Sequence, residues 1–187
     1  MSINMNGNNN DTNYRYTMPK VITKISGKGN GIYTIFSNIE AICISLNHPI
    51  GIILPYISVI TGSNCILERN TITGTHTEDH LTELLLEYIK YLIMCPKCTI
   101  PETIPKLHGK KKNMYISLCC SACKNETIVH PVNKRISKGI DIIIKYLKLD
   151  YTWPLPKGTM VKQINVDLSK SEVNIKEELN PFDIDLI

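Results

Sequence analysis

Nowhere does the chain carry an apolar run long enough to span a bilayer, and no basic stretch followed by an apolar one opens it as a signal peptide would. A membrane-spanning or exported protein is therefore not expected, and cytoplasmic is the default location. A P-loop is missing too. The glycine-rich Gly27-Lys28-Gly29-Asn30-Gly31 lacks the GxxxxGK spacing followed by Ser or Thr, so the chain is not expected to bind GTP itself. Cysteine is present but not as a disulfide framework: there are seven, an odd number, and four of them form two Cys-x-x-Cys pairs. That usage suits a reducing compartment and a metal. What remains is a chain of 187 residues, 43% hydrophobic and 20% charged, the composition of a soluble globular protein of one or two domains.

The net charge of +4 hides an asymmetry. Residues 1–149 hold 17 Lys/Arg against 10 Asp/Glu, whereas residues 150–187 hold 4 against 7. A basic body suggests contact with a polyanion, and an acidic tail suggests a partner or self-shielding. Isoleucine and asparagine are abundant, as an AT-rich coding sequence would make them, such as that of a parasite or large virus.

In chain order, the Asn-rich residues 1–13 offer little apolar surface to offset the entropy of ordering, which predicts a flexible leader. Residues 21–36 read as a β-hairpin: Val21, Thr23 and Ile25 alternate, and Ile32, Thr34 and Phe36 resume after the glycine-rich loop. Lys28 makes that loop either a plain flexible turn or an RNA-touching one. Ser37-Asn38-Ile39-Glu40 has the form of a capping box, with Ser37 as cap, and the helix it starts stops at Asn47-His48-Pro49. His48 at this helix end reads as a cap or surface residue. Residues 50–60 and 65–74 read as short strands, with Arg69-Asn70 at a turn. Thr77 caps a longer helix whose Leu81, Leu84, Leu85, Tyr88, Ile89 and Leu92 form a core stripe. Hairpin, helix, strands and helix predict an α+β fold, a small mixed α/β sandwich over residues 14–93 with its helices on one face of the sheet.

That helix runs into Cys95-Pro96-Lys97-Cys98, and Cys120-Ser121-Ala122-Cys123 follows. Two such knuckles at this separation are the signature of a four-thiolate zinc site, and alternating Met114, Ile116 and Leu118 supply a strand of a zinc ribbon. Redox thiols are the weaker reading, because no βαβ pattern surrounds the pairs. Cys95, Cys98, Cys120 and Cys123 would hold one structural Zn2+. Cys119 competes as a ligand, with Cys120 preferred because it restores the two-residue spacing. Cys43 and Cys65 read as buried small hydrophobes. Lys110-Lys111-Lys112 would lie near the ribbon's hairpin tip, as a solvated turn or a phosphate contact. A helix with Ile136, Ile140, Ile143, Ile144 and Leu147 on one face closes this second unit, residues 94–150. Residues 151–187 read as an acidic, irregular tail. Its end, Asp183-Ile184-Asp185-Leu186-Ile187, suits a docking peptide or frayed disorder.

Tyr14-Arg15-Tyr16 stands apart. Arginine is permanently charged and makes paired hydrogen bonds to phosphate or carboxylate oxygens. Taken alone, Arg15 reads as a structural ion pair or a cation–π partner of Tyr14 or Tyr16. Alternatively the aromatics anchor the segment and leave Arg15 to project.

Tyr14-Arg15-Tyr16-x-Met18-Pro19, Gly27-Lys28-Gly29-Asn30-Gly31-Ile32, Asn47, Gly74-x-His76, Cys95-Pro96-x-Cys98 and Pro101-Glu102-Thr103 occur in one order. Together they resemble the N-terminal half of the eukaryotic translation initiation factor 5 family, over residues 1 to about 150. The beta subunit of initiation factor 2 shares the α/β-plus-ribbon plan but not the expected Tyr-Arg-Tyr start. The resemblance implies an initiation factor 1-like domain, a zinc ribbon, and stimulation of GTP hydrolysis by the gamma subunit of factor 2 in the 40S preinitiation complex. It makes Arg15 an arginine finger acting in trans. It also makes Lys28, Gly29, Asn30, Arg69 and Asn70 contacts to initiator tRNA, the mRNA start codon or small-subunit rRNA, with the factor 2 gamma and beta subunits as protein partners. The chain departs from the family in three places. Tyr33 and Pro55 stand where members have lysines implicated in activation, residues 57–76 are shorter, and no length remains for the C-terminal helical-repeat domain. Two rival expectations are a non-catalytic module that stabilises start-codon pairing and a generic zinc-ribbon nucleic-acid-binding protein.

Overall fold

The computed structural model describes residues 2–110, 113–149 and Trp153. Within them, the Asn-rich leader is folded rather than flexible. Strand β1 (Ser2–Asn4) pairs antiparallel with β2 (Thr17–Pro19), and Met5 is buried at 4% exposure. The reason lies in asparagine's side chain, which substitutes for missing ladder partners. Asn4 donates through Nδ2 to the carbonyls of Asn8 and Asp11, both at 2.7 Å, and Asn9 Oδ1 accepts from the Asn4 backbone N–H at 2.9 Å. Hydrogen bonding here adds to the burial of Met5 and Ile3 against the core.

A four-stranded antiparallel sheet follows, in the order β3-β4-β6-β5, from β3 (Thr23–Ser26), β4 (Tyr33–Phe36), β5 (Cys65–Ile66) and β6 (Thr71–Thr73). The expected hairpin is β3–β4, with Thr23 opposite Phe36 and Ser26 opposite Tyr33. Thr34, Phe36 and Ile72 are buried beneath the helices, whereas Lys24, Tyr33 and Thr73 are exposed.

Helix α1 (Ile39–Leu46) ends where Asn47 turns left-handed at φ 52°. Its cap differs from the expected box. Asn38, not Ser37, is the N-cap, and its side chain makes no capping bond because it is used elsewhere. Asn38 Oδ1 accepts from the Ile22 backbone N–H at 3.0 Å, and Nδ2 donates to the Lys20 carbonyl at 2.7 Å. Residues 50–60, expected as a strand, form helix α2 (Ile50–Thr61) with Pro55 inside it. Apolar residues without periodicity suit a buried strand or a helix buried all round, and Ile52, Ile53, Leu54, Tyr56 and Ile57 are fully buried.

Helix α3 (Glu78–Leu92) begins as expected at Thr77, whose side chain accepts from the His80 N–H, and its predicted stripe is buried. The second unit is a three-stranded sheet, β7 (Thr103–His108), β8 (Tyr115–Cys120) and β9 (Glu126–Ile128), followed by α4 (Lys134–Lys148). Asn133 caps α4 by accepting from the Ile136 N–H at 2.9 Å. Helix α2 packs against α1, α3 and α4, and one core runs from Met18 to Ile143. No single helix among the described residues is long and apolar enough to cross a membrane.

His48 is not a surface residue. It is fully buried, its Nδ1 lies 2.9 Å from Tyr88 Oη, and its ring meets Trp153 edge to face at 4.5 Å. Lys111, Lys112 and the acidic chain end at 183–187 lie outside the described residues.

Candidate functional site

Both cysteine knuckles are built alike. The Thr99 N–H donates to the Cys95 carbonyl at 2.9 Å, and the Lys124 N–H donates to that of Cys120 at 3.0 Å. Both donors adopt the left-handed region, at φ 57° and 58°, which turns each loop back so that its sulfurs converge. All four sulfurs, of Cys95, Cys98, Cys120 and Cys123, lie within 4.8 Å of one another. Cys95 to Cys123 spans 3.7 Å and Cys98 to Cys120 spans 3.6 Å. A tetrahedral ion with metal–sulfur bonds of about 2.3 Å requires edges of about 3.8 Å, so the donor set fits one metal ion. Cys119 is not in the group. Neighbouring strand residues point to opposite faces, and Cys119 faces Lys106 and Glu126 instead.

Crowding makes these thiols unequal. Burial raises the Cys95 pKa, but backbone N–H groups of Cys98 and Lys97 together with neighbouring thiols bring it down to about 7. The Ile100 backbone favours the Cys98 thiolate, yet burial and three thiol neighbours push it up to about 12. A cation bound among the sulfurs would take the place of the thiol protons, so metal binding here would release protons.

The segment 14–16 lies on the core. Tyr14 and Tyr16 are half-buried against it, with their rings edge to face at 6.0 Å, whereas Arg15 is exposed. The Arg15 Cζ sits 5.9 Å from the centre of the Tyr16 ring, and among the described residues no carboxylate forms an ion pair with it. Tyr16 Oη donates to Glu102 Oε1 at 2.7 Å, across 86 positions of sequence. Sequence reasoning missed this contact, although Pro101-Glu102-Thr103 was a motif in its own right.

The five expected RNA contacts do not form one patch. Lys28 and Gly29 are exposed in the loop between β3 and β4, where residues 29–31 form a 3-10 turn. The backbone of Asn30 lies in that turn. Arg69 and Asn70 lie in the β5–β6 turn, with Asn70 left-handed at φ 54°. Tyr33 faces Thr73 at the first loop's end of the sheet, and the Phe36 N–H donates to the Asn70 carbonyl at the other. The two loops therefore stand at opposite ends of β4. Tyr33 is exposed beside the first loop, while Pro55 lies within α2.

A polar cluster on the ribbon also escaped the sequence. Ser117 Oγ donates to Glu126 Oε1 at 2.6 Å, and His108 Nε2 lies 2.7 Å from Ser117 and 3.1 Å from Glu126. The residue types match a hydrolase triad, but the geometry does not. Carboxylate and hydroxyl meet the same ring nitrogen, so the imidazole cannot be oriented by one while deprotonating the other.

Comparison with known proteins bears on the whole arrangement. The family model for the domain found in initiation factors 2B and 5 matches residues 6–126. "Eukaryotic translation initiation factor 5" of Mus musculus is 35% identical over 127 residues, covering 66% of this chain and 29% of that protein. The Caenorhabditis elegans protein of the same name is 35% identical over 176 residues, 92% of this chain and 35% of its own length. That of Saccharomyces cerevisiae is 35% identical over 131 residues, 68% and 32% respectively. The chain thus spans about a third of the length of the curated relatives it matches.

Proposed function

This chain belongs to the family of domains found in initiation factors 2B and 5 and is of the translation initiation factor 5 N-terminal type, and from that premise we propose that it stimulates GTP hydrolysis by initiation factor 2. It would do so within the small-subunit preinitiation complex at start-codon recognition. The observation that carries the reading is Arg15: an exposed guanidinium, unpaired with any carboxylate among the described residues, on a segment anchored by two aromatic rings. Inserted beside the transferring phosphoryl group, its planar N–H donors would stabilise the charge that develops on the equatorial oxygens. Such an arginine acts in trans, which agrees with a chain that has no P-loop.

Zn2+ at Cys95, Cys98, Cys120 and Cys123 has a structural role in this reading, because four protein thiolates leave no open coordination position. Lys28, Gly29 and Asn30 at one end of the sheet, and Arg69 and Asn70 at the other, supply separate contacts to tRNA, mRNA or rRNA. Their separation suits two RNA elements rather than one.

Single-turnover GTP hydrolysis by factor 2 in reconstituted preinitiation complexes tests the assignment. Arg15→Ala should slow the stimulated rate by ~10³-fold or more. Arg15→Lys should restore little, since an ammonium lacks the paired donors. Full activity in both variants would remove Arg15 from the chemistry. No stimulation by the wild type would favour a module that only stabilises start-codon pairing.

A further inference from the structure

Tyr16 is engaged through its ring, its hydroxyl and its backbone. The ring lies under the Arg15 guanidinium at 5.9 Å, the hydroxyl donates to Glu102 Oε1 at 2.7 Å, and the carbonyl accepts from the Met5 N–H at 3.0 Å. Glu102 in turn belongs to the ribbon. Its carbonyl accepts from the N–H of Ser121, inside the second cysteine pair, at 2.8 Å, and its neighbour Thr103 stands opposite Cys120 in register. A continuous path of bonded groups therefore runs from Arg15 through Tyr16 and Glu102 to the second knuckle.

We propose that Tyr16 and Glu102 are positioning residues for Arg15, through which the metal-binding ribbon sets how firmly the arginine is held; this rests on the arginine-finger reading above. An exposed arginine samples many rotamers, and only those that meet the phosphoryl oxygens contribute to rate. The Tyr16 ring lies within cation–π range of the guanidinium, which forms no ion pair with a carboxylate among the described residues. That contact is fixed only while the ring is fixed. The backbone bond to Met5 holds the main chain, but among the described residues only the hydroxyl bond to Glu102 reaches the tip of the ring. With metal at the cysteines the second knuckle, and with it Glu102, has one place. Without metal the anchor loosens, and the ring with it.

The test uses the full chain and two independent readouts. In single-turnover hydrolysis, the maximal rate and the half-saturating concentration are measured separately for wild type, Tyr16→Phe, Glu102→Gln, Glu102→Ala, Arg15→Ala and Arg15→Ala/Tyr16→Phe. Tyr16→Phe and Glu102→Ala should each lower the maximal rate by ~10-fold at an unchanged half-saturating concentration, the scale of a small misplacement of a catalytic group. Glu102→Gln keeps an acceptor oxygen and should stay near wild type. Tyr16→Phe should cost nothing further once Arg15 is alanine. The second readout, hydrogen exchange of the backbone amides of Met5 and residues 14–18, needs no GTP. Exchange there should quicken in Tyr16→Phe, in Glu102→Ala and after chelation of the metal, but not in Glu102→Gln. Unchanged exchange in Tyr16→Phe and on chelation would overturn the proposal, as would an equal rate loss with and without Arg15. If wild type gives no stimulation, the finger reading fails alone, and the exchange pattern still decides whether the ribbon holds this segment.

Discussion

With its imidazole enclosed by Tyr88 and Trp153, His48 could carry a proton only at the cost of losing all hydration, and burial lowers its pKa to about 3. In the unfolded chain a histidine titrates near 6.5. Between these values the unfolded state takes up a proton that the folded state refuses, so stability is complete above about pH 6.5 and is lost as pH falls toward 3. From pH 6.5 to 4.5 the loss from this group alone is about 2 kcal/mol. Urea unfolding of wild type and His48→Gln at both pH values measures it: the variant should lose about 2 kcal/mol less than wild type. The comparison cancels the acid sensitivity of the cysteine site, which both proteins share. Equal losses would mean that His48 takes up its proton within the folded chain. This burial was illegible in the sequence, because a histidine followed by proline at a helix end carries the signs of a cap. Only tertiary packing encloses it, with Tyr88 arriving from 40 positions away and Trp153 from 105.

Among the elements, α2 and α4 cross where Gly139 lies. A Cβ built there would fall 2.6 Å from Leu92 Cδ1 and 3.3 Å from Tyr56 Cε2, so the missing side chain is what lets the helices approach. Alanine could be absorbed by rotation of Leu92 and would gain helix propensity. Leucine could not, and Gly139→Leu should destabilise the protein by roughly 3 kcal/mol, read as a lower denaturant midpoint at unchanged slope. The same crossing explains which elements the sequence disclosed. Helices α3 and α4 each have one wet face, so their apolar residues recur at helical spacing and both were legible. Helix α2 is covered by three helices and shows no such period. Its isoleucines favour a strand on local grounds and Pro55 disfavours a helix interior, and packing overrides both. Within the candidate site the cysteines were legible because spacing along the chain fixes a knuckle. The partnership of Tyr16 with Glu102 was not, because no local pattern joins residues 86 positions apart.

At the scale of the whole molecule, the ribbon is tied to the α/β part by more than a linker. Thr103 Oγ1 donates to the buried carbonyl of Ile93, just past the end of α3, at 2.6 Å. Helix α4 packs against β7 and β8 on one side and α2 on the other, and Ile116 of the ribbon shares a core with Ile136 and Tyr56. Arg135 and Asn133 both reach Glu87 of α3, at 3.0 and 2.9 Å. A ribbon this small would have too little core to stand without a metal at its four cysteines, and those contacts would transmit the loss of one. Metal bound at a thousandfold excess over its dissociation constant contributes about 4 kcal/mol. Against the usual total of about 5–15 kcal/mol, that is a large share. Chelation, or paired Cys95→Ser and Cys98→Ser substitution, should therefore lower the melting temperature by roughly 10 °C or more. Elemental analysis should find one equivalent of zinc in the untreated protein and none in the substituted one. The shape of the transition is as informative as its position. A shared core predicts one cooperative step before and after metal removal, with near-ultraviolet signals from Tyr56 and Tyr88 lost together with those of the ribbon's Tyr115. Two separated steps, the later one at the original temperature, would mean that the α/β part stands alone and that the contacts across α4 carry little energy.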